Sequence, residues 1–168
     1  MRVLGIDPGI AIMGFGFVDK LGHRIVPVQY GCIQTEAGTP TEQRLVQIYE
    51  ASCQLLDRYQ PETIAVEKLF FSKNVTNAFV VGQARGVFLL AAAQRNIPVG
   101  EYTPMQVKQS VVGYGGAEKK QVQEMVKRLL KLSVVPKPDD VADALAVAIC
   151  HAHSIGMNDR MNGVTPTR

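Results

Sequence analysis

Residues 3–19 read VLGIDPGIAIMGFGFVD, and no other stretch restricts the fold as much. Two apolar runs meet at Pro8-Gly9, a turn signal. A third run, Ile25 to Thr35, follows the break DKLGH at residues 19–23. Three strands with connections this short are predicted to form an antiparallel meander. The second run alternates Gly14 and Gly16 with Met13, Phe15 and Phe17. Glycines on one face of a strand call for close approach of a backbone or a ligand. Asp7 ends the first run. A carboxylate at the end of a buried strand is costly unless it is paired, hydrogen-bonded or metal-bound. The rest of the chain has to supply its partner.

Helical and extended patterns alternate after the meander. Thr39-Pro40-Thr41-Glu42 has capping-box spacing, with Pro in the first helical position. Leu45, Ile48, Tyr49, Ser52, Leu55, Leu56 and Tyr59 then recur at helical period until Pro61. Thr63 to Glu67 (TIAVE) reads as a short buried strand, also ending in a carboxylate. Residues 76–95 read as a largely apolar helix, 98–102 as a fifth strand. Thr103-Pro104-Met105-Gln106 opens the next helix, which GYGG at 113–116 breaks. Residues 117–132 form an amphipathic helix, and Asp140 to His153 the last one, with a tail from Gly156 that lacks periodicity. The order β-β-β-α-β-α-β-α-α-α predicts one α/β domain over residues 1–155, followed by a flexible tail at 156–168. Its five-stranded mixed sheet is covered by helices on both faces.

Asp7 and Glu67 end the first and fourth strands. Asp140 and Asp143, three apart, share a face at the start of the last helix. In open α/β sheets, ligands gather beyond strand ends. Carboxylates that converge there cannot all stay ionised without a cation. Hard oxygen ligands select Mg²⁺ or Mn²⁺, and a pair of such ions suits in-line phosphoryl displacement. Simpler roles compete at each position: an Asx turn at Asp7, a surface site at Glu67, a helix cap at Asp139 or Asp140. The joint placement favours the metal site. Other chemistries lack their residues: there is no GxxxxGK loop, no GxGxxG between strand and helix, and no GxSxG elbow. His151 and His153, two apart on a helix, point to different faces and make a poor zinc pair.

The formal net charge of +3 is mild, but Lys108, Lys119, Lys120, Lys127, Arg128, Lys131 and Lys137 face only Glu118 and Glu124 between residues 104 and 138. That excess is either a phosphate-binding face or a solvated helix surface. Three widely spaced cysteines without CxxC spacing fit a reducing cytoplasm. No uninterrupted apolar run is long enough to span a bilayer. The first strand begins at once, so no signal peptide is expected.

GIDPG, the strand ending in VEKLFF, GQARGV, QVKQSVVGYGGAEKKQVQ and DDVADALAVAICH together resemble the RuvC family of Holliday-junction resolvases. The likeness runs to about His153. It implies a ribonuclease-H-like fold and a homodimeric, Mg²⁺-dependent endonuclease. Such an enzyme resolves four-way DNA junctions by paired nicks, leaving 5′-phosphate and 3′-hydroxyl ends. The resemblance places the acidic tetrad on Asp7, Glu67, Asp140 and Asp143, with the doublet Asp139-Asp140 leaving the third ligand open by one residue. It places basic residues near the scissile phosphate at Lys108 and Lys119, and the aromatic at the junction point at Phe70. It also implies work alongside a RuvA–RuvB branch-migration complex. Two other classes compete on the residues. An actin- or sugar-kinase-like phosphotransferase shares the DxG turn but normally needs two such domains. A non-catalytic nucleic-acid-binding module accounts for the lysines but not for four carboxylates.

Overall fold

The computed structural model describes the backbone of residues 1–68 and 75–161, with side chains in these ranges except 75–77 and 156–161. The meander consists of β1 (Arg2–Asp7), β2 (Ile12–Leu21) and β3 (Arg24–Gln34). Helix α1 (Thr41–Tyr59), strand β4 (Thr63–Glu67), helix α2 (Val75–Ala93) and strand β5 (Val99–Tyr102) follow. Helices α3 (Pro104–Val112), α4 (Lys119–Leu129) and α5 (Asp139–Met161) complete the described chain. The strand order is β3-β2-β1-β4-β5. The meander pairs antiparallel, and β4 and β5 extend it in parallel beyond β1. This is the expected mixed five-stranded ribonuclease-H-like sheet.

Strand alternation divides the core in two. Leu4, Ile6, Ile64 and Val66 point to the side covered by α1 and α2, where Ile48, Leu56, Ala84 and Phe88 meet them. Val3 and Ala65 point to the other side, against Leu145, Ala148 and Ile149 of α5 and the inner faces of α3 and α4. Residues of β1 and β4 at alternate positions thus belong to opposite layers.

The glycines of β1 and β2 admit the backbone of α5. A Cβ on Gly5 would lie 2.0 Å from the Ala144 carbonyl oxygen, and one on Gly14 2.0 Å from that of Asp140. A Cβ on Gly16 would lie 2.5 Å from Leu145 Cδ2. The close approach foreseen for the second strand is therefore made by a helix. At the far edge, buried His151 ties α5 to the sheet. Its Nε2 lies 2.7 Å from Thr63 Oγ1 and its Nδ1 2.7 Å from the Tyr102 hydroxyl. His153 instead meets Ser110 Oγ at 3.1 Å, so the two histidines serve different contacts.

Two local expectations change and one holds. The capping box foreseen at Thr39 is not formed: Pro40 has an extended ψ of 141° and stands at the N-cap, so α1 begins at Thr41. The box foreseen at Thr103 is formed, with both reciprocal bonds to Gln106. Helix α5 runs to Met161, past the foreseen end at His153. All three cysteines are free, with Cys150 buried. Among the described residues, no helix is long and apolar enough to cross a membrane.

Candidate active site

Asp7 and Glu67 sit side by side at one end of the sheet. β1 and β4 run parallel with Ile6 opposite Val66, so the next residue on each strand is the carboxylate. Neighbouring strands are about 4.8 Å apart. Alternation also decides the face: Ile6 and Val66 enter the α1–α2 layer, so Asp7 and Glu67 point towards α5. Asp7 is paired across the ladder with Gly14, and Asp140 lies directly over Gly14. Asp143 follows one turn later on α5. The fold therefore brings four acidic residues from β1, β4 and α5 to one sheet end.

Their mutual field is unfavourable. Burial, then the charges of Asp143, Asp140 and Glu67, push the Asp7 carboxyl up to about 8. Burial and Asp143 likewise raise Glu67, against the opposing pull of Lys108 and Lys119. Burial raises Asp143 too, although Lys119 opposes it. Lys119, the first residue of α4, supplies the nearest positive charge. Its Nζ donates to Asp143 Oδ2 at 3.0 Å and lies 3.6 Å from Asp139 Oδ2. Burial pulls the Lys119 ammonium down, but its bond to Asp143 and the charges of Asp143, Asp139 and Asp7 outweigh that and raise it.

Asp139 behaves differently from its neighbour. It is the first residue of α5 rather than its cap, and its Oδ1 accepts from Lys137 Nζ at 2.8 Å. Lys137 first, then Lys119, hold this exposed carboxyl below its ordinary range. Asp140, and not Asp139, is among the charges that raise Asp7. Of the two ion pairs of Asp139, the one with Lys137 is local, and the one with Lys119 depends on where α4 meets α5.

A cleft of about 240 Å³ opens over this cluster, lined by Glu67, Lys108, Lys119 and Asp143 with Pro104, Val107, Val122 and Ala146. Two carboxylates and two ammonium groups in its lining suit a phosphate bridged to cations. Among the described residues, no three His, Cys, Asp or Glu side chains close into a preformed ligand set. Like charges hold such a set apart until a cation neutralises it. The donors themselves fit a hard divalent ion: half-buried carboxylates, of which Asp7, Glu67 and Asp143 are raised in pKa. Phe70 lies outside the described residues.

The family model for "Crossover junction endodeoxyribonuclease RuvC" matches residues 3–151. The chain belongs to the RuvC family. A RuvC of Brevibacillus brevis, named a crossover junction endodeoxyribonuclease, is 69% identical over 152 residues, 90% of this chain and 92% of that protein. One from Desulfitobacterium hafniense is 57% identical over 163 residues, 97% of this chain and 99% of that protein. Among solved structures, Thermus thermophilus RuvC in complex with a Holliday-junction substrate superposes with a TM-score of 0.90 at 39% identity. It covers 94% of this chain and 96% of that one. RuvC-family membership implies a nuclease that uses divalent metal.

Proposed function

We propose that this chain resolves four-way DNA junctions by hydrolysing phosphodiester bonds, in recombination and repair. The observation that carries the reading is the gathering of Asp7, Glu67, Asp140 and Asp143 at one sheet end, beside a cleft that Glu67 and Asp143 line together with Lys108 and Lys119. Its family relatives bear the nuclease name, and a relative of known structure was solved with a Holliday junction. No observation favours the phosphotransferase or the non-catalytic module.

The four carboxylates would hold two Mg²⁺ ions, with Mn²⁺ as a substitute. Bound there, the ions would supply charge neutralisation and activation of the attacking water. The chain's own share is positional. β1 and β4 fix two carboxylates on one face, α5 brings the other two, and the apolar wall of Val107, Val122 and Ala146 limits water. Lys108 and Lys119 approach the phosphate, with Lys119 leaving Asp143 to do so. Phe70, which follows Glu67 by three residues, would stack at the junction point, as the family resemblance implies.

The functional unit is a homodimer, because a junction has approximate two-fold symmetry and two sites are needed for paired nicks. Helix α2 supports this: it is apolar nearly all round, and it exposes Phe79 (68%) and Leu90 (53%). The products would carry 5′-phosphate and 3′-hydroxyl ends. A RuvA–RuvB complex would act on the same junction, in the cytoplasm. The deciding experiment is incubation with a synthetic four-way junction and a matching linear duplex. Symmetric paired nicks of the junction alone, dependent on Mg²⁺ and abolished by chelator, are expected. Equal cutting of the duplex, or cutting in chelator, overturns the reading.

A further inference from the structure

Next to the lysine-bearing residues of the cleft stand two exposed side chains, Met105 and Tyr114, that the hydrolytic chemistry does not use. Met105 (65% exposed) follows Pro104, a cleft residue, and stands one turn before Lys108 on α3. Residues three apart share a helix face, so Met105 and Lys108 present themselves together. Gly115 packs under Met105: a Cβ there would lie 2.5 Å from Met105 Cγ. Tyr114, 48% exposed, is the adjoining residue.

The tyrosine is held in place rather than left loose. Its hydroxyl donates to Gln121 Oε1 at 2.9 Å. The same oxygen accepts from the Glu118 backbone N–H at 2.8 Å, the bond that starts α4. Lys119 is the first residue of that helix. One glutamine therefore ties the Tyr114 ring to the helix end that aims Lys119. An exposed thioether on α3 and a phenol ring anchored to α4 thus stand by the starts of the two helices whose lysines, Lys108 and Lys119, line the cleft.

We propose that Met105 and Tyr114 form a stacking platform for the nucleobase adjoining the scissile phosphate, and thereby set which nucleotide is accepted there. The proposal rests on the nuclease reading above. Charge complementarity selects the occupant: Lys108 and Lys119 draw a phosphate to the cleft, and the base attached to it has to go to one side. Bases at a strand crossover are less firmly stacked than in duplex, so an external aromatic face replaces what they lose. The Met105 sulfur is polarisable and adapts to the edge of such a base.

The test uses four-way junctions that differ only in the nucleotides flanking the cleavage point. Discrimination is the ratio of cleavage rates between the best and the worst sequence. In Tyr114→Ala it is expected to fall by about 5- to 150-fold, the range that one base–aromatic stack spans. Met105→Ser should reduce it independently. Tyr114→Phe, which keeps the ring, should retain at least half of the discrimination. The salt dependence of binding should not change, because both lysines remain. A second readout needs no cutting: 2-aminopurine is placed at successive positions of the junction in chelator. Its quenching on binding should peak at one position beside the cleavage point and vanish in Tyr114→Ala. Undiminished discrimination in both Tyr114→Ala and Met105→Ser overturns the platform, as does quenching that persists without the ring. Tyr114→Phe behaving like Tyr114→Ala also overturns it. If the wild-type chain cuts no four-way junction, the nuclease reading itself has failed, which is a separate outcome.

Discussion

Asp7 holds its proton up to about pH 8 because burial and three neighbouring carboxylates disfavour its charge. The folded carboxyl titrates at about 8, the unfolded one near 3.8. Between these values the folded chain binds more protons than the unfolded chain. Stability of the metal-free protein therefore declines as pH rises through that window. Asp7→Asn removes this component. At pH 9 without metal, the variant should be more stable than wild type by about 1–3 kcal/mol, the cost of a buried group left unsatisfied. At pH 3, below both values, the two should nearly coincide. Calorimetric midpoints at both pH values decide it; in Mg²⁺ the same variant should bind junction and fail to cut. The doublet is a second residue-scale matter. Asp140→Asn and Asp143→Asn should each fold, bind junction DNA and lose cleavage. Asp139→Asn should keep cleavage within a few-fold, because its carboxylate pairs with Lys137 and Lys119 at the surface. An inactive Asp139→Asn beside an active Asp140→Asn would move the ligand back by one residue.

At the scale of elements, the site depends on how closely α5 lies on β1 and β2. The three glycines beneath it leave no room for a methyl group. Gly14→Ala should destabilise the chain by about 1–3 kcal/mol, the usual range for overpacking, read as a lowered denaturant midpoint. It should also cut nicking beyond what the stability loss explains, since it displaces Asp140 relative to Asp7. Full activity in a folded Gly14→Ala protein would show that this contact does not position the carboxylate. The capping box at Thr103 and the glutamine bond at Glu118 act on the opposite wall, where they set the starts of the helices bearing Lys108 and Lys119.

For the whole molecule, the outer stripe of α2 is the exposed apolar feature that best fits a second copy of the chain. Phe79, Gly86 and Leu90 are spaced seven and four apart and so lie on one face. A Cβ on Gly86 would meet nothing within 4 Å, so this stripe is open along its middle. Leu90→Glu should shift sedimentation from dimer to monomer and convert paired nicks into single, uncoordinated ones. A variant that stays dimeric would place the interface elsewhere.

The order of strands and helices was legible because apolar periodicity, Pro and Gly act locally. TIAVE, for instance, is a strand for reasons contained in five residues. The acidic positions were legible for a related reason, as carboxylates ending apolar strands stand out against their neighbours. Other properties depend on distances between elements. That Asp7 and Glu67 share a face follows from the parallel register of β1 and β4. That Gly14 admits a backbone rather than a ligand follows from the seat of α5. The pairing of Lys119 with Asp143 joins residues 24 apart through the packing of α4 on α5. Asp139 has the local pattern of a cap, yet it opens α5 as an ion-pair residue, held by its neighbour Lys137 and by Lys119, which the packing of α4 on α5 brings to it. Local chemistry sets which residues are able to form a site. The packing of helices on the sheet sets which of them meet, because charge and contact energies depend on separations that no local pattern encodes.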